Sequence, residues 1–318
     1  MCNRPLYTVC EFVLESNVPL PELPQADGKK PECTFQLLPA HDAKLISAQW
    51  FHQWHTPDGE PWLSFARLAS GYLLRFPDLA DFLVSADVKA IRCYPVPGTP
   101  LETIKHLFLD QVLPLVLSKR GKLIIHASAI VAQEGAIAFV GMTGQGKSTL
   151  ATSFSMHGFP LMTDDSLLLE VKEGRLIGTP IYPGVRLWDD SISVLFEHEP
   201  VLSEVAHYTD KKRLAANNDR LLFCRDSVPI QRLYFLAPLK EVATNTITIT
   251  RLSPRETFME LVTYAFKLDI ADQALLRREF DTFSRVAALA LSYDLAFPRD
   301  FTRLADVRAA IVDHLDAL

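Results

Sequence analysis

The stretch Ala136-Ile137-Ala138-Phe139-Val140-Gly141-Met142-Thr143-Gly144-Gln145-Gly146-Lys147-Ser148-Thr149 decides how this chain is read. Its second half fits G-x-x-x-x-G-K-S/T, the Walker A pattern of a phosphate-binding loop. Glycines let the backbone curl so that successive N–H groups face an anion. The lysine reaches the outer phosphates, and the hydroxyl after it can hold Mg²⁺. Gly141, Met142, Thr143, Gly144, Gln145, Gly146, Lys147, Ser148 and Thr149 are therefore the candidate nucleotide-binding residues. Ala136–Val140 is a short apolar run that predicts a buried strand, and Ser148–Met156 predicts a helix whose positive end meets the phosphates. Strand, glycine loop and helix follow in the order the motif requires; a chance glycine turn is the competing reading.

Downstream, Gly158 ends the helix and Phe159–Thr163 predicts a strand finishing in Asp164-Asp165. Strands of such sheets deliver their ends to the phosphate edge. One carboxylate there can orient Mg²⁺ and another can accept the proton of an attacking hydroxyl; a helix cap or solvated turn is the alternative. Ser166–Val171 extends again, with a turn at Glu173-Gly174, and Pro254–Lys267, Asp272–Ala290 and Pro298–Leu315 predict three closing helices. Upstream, Lys122–Ile125 is a short apolar run and His126 stands at its end. A lone histidine in such a place is usually a satisfied structural residue.

Residues up to about Pro97 predict a β-rich part, with strands at Tyr7–Leu14, Thr34–Leu38, Trp62–Leu68, Gly71–Phe76 and Val88–Tyr94 and a hairpin turn at Ser70-Gly71. Trp50, Phe51, Trp54 and Trp62 surround His52 and His55, a cluster that predicts packing rather than a ligand cage. The two histidines, three apart, could meet only on a helix and lack a third metal ligand, so they read as surface or interface histidines. Thr99 is placed to cap a helix over Leu101–Leu117, with a kink at Pro114 and a stop at Lys119-Arg120-Gly121.

The chain has 318 residues, enough for about two domains, and 48% of them are hydrophobic. A formal net charge of −6 disfavours a nucleic-acid partner. The cysteines Cys2, Cys10, Cys33, Cys93 and Cys224 are scattered without a CxxC spacing, which points to reduced thiols and a cytoplasmic location. No signal peptide is expected behind Met1-Cys2-Asn3-Arg4-Pro5, and no run of about 18 apolar residues predicts a membrane span.

The stretch HASAIVAQEGAIAFVGMTGQGKSTLATSFSMHGFPLMTDDSLLLE resembles the catalytic core of HPr kinase/phosphorylase: a histidine at a strand end, a GxSGxGKS-type loop, a helix, a glycine turn and an Asp-Asp pair at similar spacing. The resemblance covers roughly residues 120–190. It implies a fold akin to PEP carboxykinase, with a mixed sheet and the nucleotide at one edge. It also implies that Lys147 contacts the β- and γ-phosphates and Ser148 ligates Mg²⁺. Asp165 would accept the proton of the target hydroxyl, with Asp164 its metal-side neighbour and His126 an active-site partner. The VPLPELP stretch, the Leu-Pro-Leu helix before KLIIHASA and the later YPGVRLW segment are similar to HPr-kinase-like proteins of biosynthetic gene clusters, including kinases that look like lasso-peptide tailoring enzymes. In that group the acceptor is a serine of a precursor peptide.

The chain departs from the family after the paired acids. Thr179–Trp188 reads TPIYPGVRLW, without the family's glutamate, which puts a second metal site and phosphorolysis in doubt. Arg186 is either a charge clamp on phosphate or a surface ion pair, and Asp189 and Asp190 would cap the next segment. Lys211, Lys212 and Arg213 fall where HPr kinase has a mobile basic loop, and Asn217, Asn218, Asp219 and Arg220 would continue that element or form a turn. Such cations can neutralise a transferring phosphoryl group; a solvated face is the alternative.

Together these readings predict an α/β chain: a β-rich N-terminal domain over 1–98, a connecting helix over 99–120, and an HPr-kinase/PEP-carboxykinase-like P-loop domain with a mixed sheet over 121–318. The predicted activity is transfer of the γ-phosphoryl group of ATP, with Mg²⁺, to a hydroxyl of a peptide or small protein. His126, Lys147, Asp164, Asp165 and Arg186 are the candidate catalytic residues, Ser148 and Asp164 the candidate metal ligands, and Lys211, Lys212 and Arg213 the candidate acceptor contacts. A small-molecule kinase and an ATP-hydrolysing regulatory binding protein are the alternatives. Neither nucleic acid nor membrane is an expected partner, and a homo-oligomer is allowed.

Overall fold

The computed structural model describes residues 4–40, 47–198, 200–214, 221–238 and 246–317. Asn217, Asn218, Asp219 and Arg220 lie outside the described residues. The chain is a mixed α/β protein of two compact units: one holds Met1–Arg120, Val205–Thr209 and Lys267–Asp272, and the other Gly121–Glu204, Asp210–Phe266 and Gln273–Leu318.

In the first unit, eight strands among the described residues form one sheet: β1 (Leu6–Val9), β2 (Phe12–Ser16), β3 (Cys33–Leu37), β4 (Trp50–His55), β5 (Pro61–Leu68), β6 (Gly71–Phe76), β7 (Ala80–Ser85) and β8 (Ala90–Pro95), in the order β1-β2-β3-β8-β7-β6-β5-β4. Three sequence readings change here. Tyr7–Leu14 is not one strand, because Cys10 turns with a φ of 50° and makes β1–β2 a hairpin. Trp50–His55 is a strand rather than a helix, so His52 and His55 do not meet as they would one helical turn apart; His52 instead accepts from the Trp54 indole at 3.0 Å. Ala80–Ser85 adds a strand that the reading omitted.

The predicted helix runs longer, from α1 (Leu101–Leu107) to α2 (Leu113–Lys119), through a π-helical turn at Phe108–Val112. Pro114 lacks an N–H, and its ring would strike the carbonyl of Asp110; the wider turn just before it relieves both. Phe108 stacks on Phe35 of β3 at 3.9 Å, which seats the helix on the sheet.

In the second unit, β9 (Leu123–Ile125), β10 (Ala127–Ala132), β11 (Gly135–Val140), β12 (Leu161–Thr163), β13 (Leu167–Lys172), β14 (Arg175–Pro180) and β18 (Val228–Leu236) follow the order β12-β10-β11-β18-β14-β13-β9. β19 (Thr248–Arg251) and β20 (Ser292–Ala296) join beside β18. Between them, β15 (Val185–Leu187) pairs with β17 (Thr209–Leu214), while β16 is Ser203–Ala206. The sheet is mixed: β11 runs parallel to β18 and antiparallel to β10.

Side-chain alternation along β11 divides the core. Ile137 and Phe139 face α3 (Lys147–Ser155) and α7 (Leu304–Asp316) through Leu150, Phe154, Val307 and Ile311. Ala136, Ala138 and Val140 face the other way, into a cluster with Leu167 and Leu169 of β13 and with Leu261 and Phe283 of α5 (Pro254–Tyr264) and α6 (Gln273–Ala288). The small alanines let the β9-β13-β14 part fold back on β10 and β11. Its link to β18 is narrow, with Ile177 opposite Pro229 and Gly178 opposite Val228. α4 spans Asp189–Leu195; Asp189 and Asp190 occupy its first turn, where their charge suits the helix dipole, and Trp188 rather than either acid holds the N-cap position. The last predicted helix starts late, since Phe301–Arg303 form a single 3-10 turn before α7.

Within the first unit, the almost fully buried Asp269 accepts hydrogen bonds from Arg67, from the Tyr72 hydroxyl at 2.9 Å and from the Ala271 N–H at 3.1 Å. Burial pushes its carboxyl up, but these bonds outweigh that and leave it below the ordinary 3.8. Asp269→Ala is expected to cost about 1–3 kcal/mol in urea unfolding at pH 7. A carboxyl depressed in the folded state stabilises above its unfolded value and ceases to as pH falls through the folded one. The gap between wild type and variant should therefore close below about pH 4.

Candidate functional site

The site forms where two chain crossings lie side by side. The chain passes from β9 to β10 through His126, and from β12 to β13 through Asp164, Asp165 and Ser166. Ile125 opposes Leu167 on one side of these crossings, and Ala129 opposes Thr163 on the other. Because β10 runs antiparallel between β11 and β12, the ends of β11 and β12 and the start of β10 share one sheet edge. The loop after β11, the acids after β12 and the histidine before β10 all belong to that edge.

The loop from Gly141 holds itself together. Gln145 Oε1 accepts from the Met142 N–H at 2.6 Å, and Lys147 Nζ donates to the Met142 carbonyl at 2.9 Å. A Cβ at Gly141 would stand 2.3 Å from Gln145 Oε1, while Gly144 and Gly146 have φ of 85° and 88°, a left-handed conformation that suits glycine. α3 begins immediately after, at Lys147. Burial pulls the Lys147 ammonium down to about 7; Asp164 opposes this, and Lys211 and Arg186 add to it.

Asp164 is buried and surrounded. Its Oδ1 accepts from Ser128 Oγ at 2.5 Å and from Ser148 Oγ at 2.8 Å, and its Oδ2 from the Arg186 N–H at 3.0 Å. Asp165 turns with a φ of 68° and presents its carboxylate elsewhere: Oδ1 meets His126 Nε2 at 3.0 Å, and Oδ2 is ion-paired with the Arg186 guanidinium. The His126 N–H donates to the Tyr264 carbonyl at 3.0 Å, which fixes the histidine's backbone. Arg186 is thus a buried ion-pair partner of Asp165 rather than a surface cation.

Beside these groups lies a cavity of about 420 Å³. Thr143, Gly144, Gly146, Lys147, Ser148 and Thr149 line it, together with Asp165, Arg186 and Lys211. Gly141, Met142, Gln145, Asp164, His126, Lys212 and Arg213 do not. Alternation along β17 separates the basic run. Lys211 reaches the cavity with Nζ 5.5 Å from the Trp188 ring, Lys212 pairs with Glu204 at 2.6 Å, and buried Arg213 stands opposite Arg186 in the β15–β17 register.

No family model matches the chain, and no curated protein does. Among solved structures, the HPr(Ser) kinase/phosphatase of Coxiella burnetii aligns with 61% of this chain and 97% of its own, at 11% identity and a TM-score of 0.32. A likeness this loose assigns no residue a role.

Three parts of the site were not read from the sequence. Ser128 binds Asp164; its place two residues after His126, at the start of β10, was the available signal. Ser191 meets Thr149 Oγ1 at 3.0 Å. The apolar lining of the cavity comes from Leu187, Trp188 and the segment Phe297–Leu304, where the sequence predicts a helix from Pro298. Among the described residues no helix is long and apolar enough to cross a membrane, and no cluster of three or more His, Cys, Asp or Glu is placed to hold a metal.

With its ammonium at about 7, Lys147 is roughly nine-tenths neutral at pH 8. A polyanion on Nζ favours the charged form and raises that value. Binding of tripolyphosphate at pH 8 should therefore take up nearly one proton, and affinity should fall by up to about tenfold per pH unit above 7. Calorimetry in two buffers of different ionisation heat measures the uptake; binding without uptake would mean that the Lys147 ammonium is already charged at pH 8 or that the anion does not reach it.

Proposed function

We propose that this protein is a phosphotransferase that moves the γ-phosphoryl group of a nucleoside triphosphate, ATP in the first instance, to a hydroxyl. The observation that carries the reading is the shared cavity: the lysine of a glycine loop at a helix start and the Asp165 carboxylate both line it. Phosphoryl transfer needs positioning and charge neutralisation more than covalent chemistry from the protein.

In this reading the backbone of residues 143–148 cradles the phosphates and Lys147 meets the outer ones. Mg²⁺ usually takes one or two protein oxygens and completes its shell with water and phosphate. Ser148 Oγ, held by Asp164, fits that donor set, with Asp164 acting through the serine it orients. A metal held there would supply charge neutralisation across the outer phosphates.

Incoming phosphate competes with Asp165 for Arg186. When the guanidinium turns to the phosphoryl oxygens, Asp165 Oδ2 becomes available to the acceptor hydroxyl. The acceptor oxygen then bonds to the γ-phosphorus, the bond to the β–γ bridging oxygen breaks, the hydroxyl proton passes to Asp165, and the diphosphate leaves. His126 positions Asp165 through Oδ1, and Lys211 adds positive charge. This exchange makes donor binding precede exposure of the base.

The resemblance of the stretch from His126 to Glu170 to HPr kinase, and of the flanking segments to tailoring kinases, supports a serine of a peptide or small protein as the acceptor. Incubation with γ-labelled ATP and candidate polypeptides, read by mass spectrometry, tests this. Phosphoserine supports it. Label on a metabolite alone points to a small-molecule kinase, and ATP hydrolysis indifferent to every acceptor points to a regulatory ATPase.

Lys147→Ala is expected to abolish turnover. Asp165→Asn is expected to keep ATP binding within about threefold while transfer falls by about 10²–10⁴. Single-turnover kinetics beside calorimetry separate the two effects, and full transfer by the asparagine variant would remove the assigned base.

A further inference from the structure

The cavity is lined by groups of two chemical kinds: the loop with Lys147, Asp165, Arg186 and Lys211, and the apolar Leu187, Trp188, Phe297, Pro298, Phe301 and Leu304, with Arg299 and Asp300 among the latter. The two kinds meet where Lys211 Nζ lies 5.5 Å from the Trp188 ring. A polyphosphate makes no use of an aromatic wall. A ligand that uses both kinds of lining joins a polyanion to a flat apolar group.

The wall is built rather than incidental. The Arg299 guanidinium lies 3.7 Å from the centre of the Phe297 ring and donates through Nη2 to the Ala237 carbonyl at 2.9 Å, which clamps the segment after β20. Asp300 then accepts from the Thr302 N–H at 2.9 Å and from its hydroxyl at 2.8 Å, fixing the short turn that carries Phe301. Trp188, which also lines the cavity, is 41% exposed. The carboxylates on this wall are engaged locally: Asp190 with the Ser191 N–H and Asp300 with Thr302.

We infer that this wall is a purine slot: the base of the nucleoside triphosphate whose phosphates rest on the loop is held against Trp188 and Phe301, by its faces rather than its edges. The inference rests on the phosphate reading above and adds the class of donor, a purine nucleotide in preference to a pyrimidine one or to inorganic polyphosphate. Stacking on an aromatic wall tolerates either purine, since every base has a π-face, and the two fused rings of a purine cover more of the wall than the single ring of a pyrimidine.

Calorimetry on the full chain with Mg²⁺ decides it, using ATP, GTP, CTP and inorganic tripolyphosphate. ATP and GTP are expected to bind at least about tenfold more tightly than tripolyphosphate, with CTP between. Trp188→Ala, at an exposed position, should bring ATP to within about threefold of tripolyphosphate and leave tripolyphosphate unchanged, and Phe301→Ala should do the same. Retained tripolyphosphate binding shows that each variant is folded. Equal binding of ATP and tripolyphosphate by the wild type would overturn the slot and leave the phosphate site standing, as would an ATP advantage that survives both substitutions. Binding of neither ligand would remove the phosphate site itself.

Discussion

The carboxylate of Asp164 is the contact on which the site depends. A buried charge needs partners, and this one has three: hydroxyls of β10 and α3 and a backbone N–H of β15. One side chain after β12 therefore ties the start of the loop helix, the neighbouring strand and the segment carrying Arg186. Ser148 is oriented by this bond, and Arg186 is delivered to Asp165 because its own N–H is held by the preceding residue. Adjacent acids thus divide the work. Asp164 is spent inside the protein, and the left-handed turn at Asp165 sends the next carboxylate to the cavity. An aspartate tolerates that backbone conformation better than most residues.

The second constraint is topological. β11 and β12 both run antiparallel to the β10 between them, so after the crossover through the loop and α3 their ends lie at one edge, beside the start of β10. The short segments His126 and Asp164–Ser166 then cross between the two folded parts of the sheet next to each other. A histidine and an acid nearly forty residues apart in sequence become partners through strand pairing alone. The alanines on one face of β10 and β11 are part of this arrangement, since larger side chains there would push β13 away and separate the crossings.

How much of this was legible follows from the range of the forces involved. The loop, its strand and its helix are local and punctuated by glycine, so Gly135–Val140 and Lys147–Ser155 fall within a residue or so of the expected elements. The acid pair was legible as a strand end. β18 was not, although it stands beside β11: VPIQRLYFL has no alternation to read, since the strand is covered on both faces. The π-helical turn before Pro114 was read only as a kink, because the sequence shows that the hydrogen bond is missing and not how the helix absorbs the loss. The Arg186–Asp165 pair joins residues of β15 and the β12–β13 crossing, and no spacing in the chain encodes it. The cavity wall at Phe297–Leu304 was hidden for a similar reason: its apolar residues fit helical periodicity equally well.

The contacts of the cations bear on how a phosphate would be received. Lys147, Arg186 and Lys211 converge on one cavity, and Lys147 is held low by burial and by its two cationic neighbours. Lys147 donates to the Met142 carbonyl, and Arg186 is ion-paired with Asp165. These two cations are each held by a smaller acceptor than a polyphosphate would offer. Under the proposed reading, binding is an exchange of partners rather than the filling of bare charges. The loop lysine gives up a carbonyl and gains a proton, while the arginine gives up a carboxylate and returns to it a free lone pair. The same step that neutralises the incoming anion thus prepares the base, which links phosphate recognition to proton transfer through a single guanidinium.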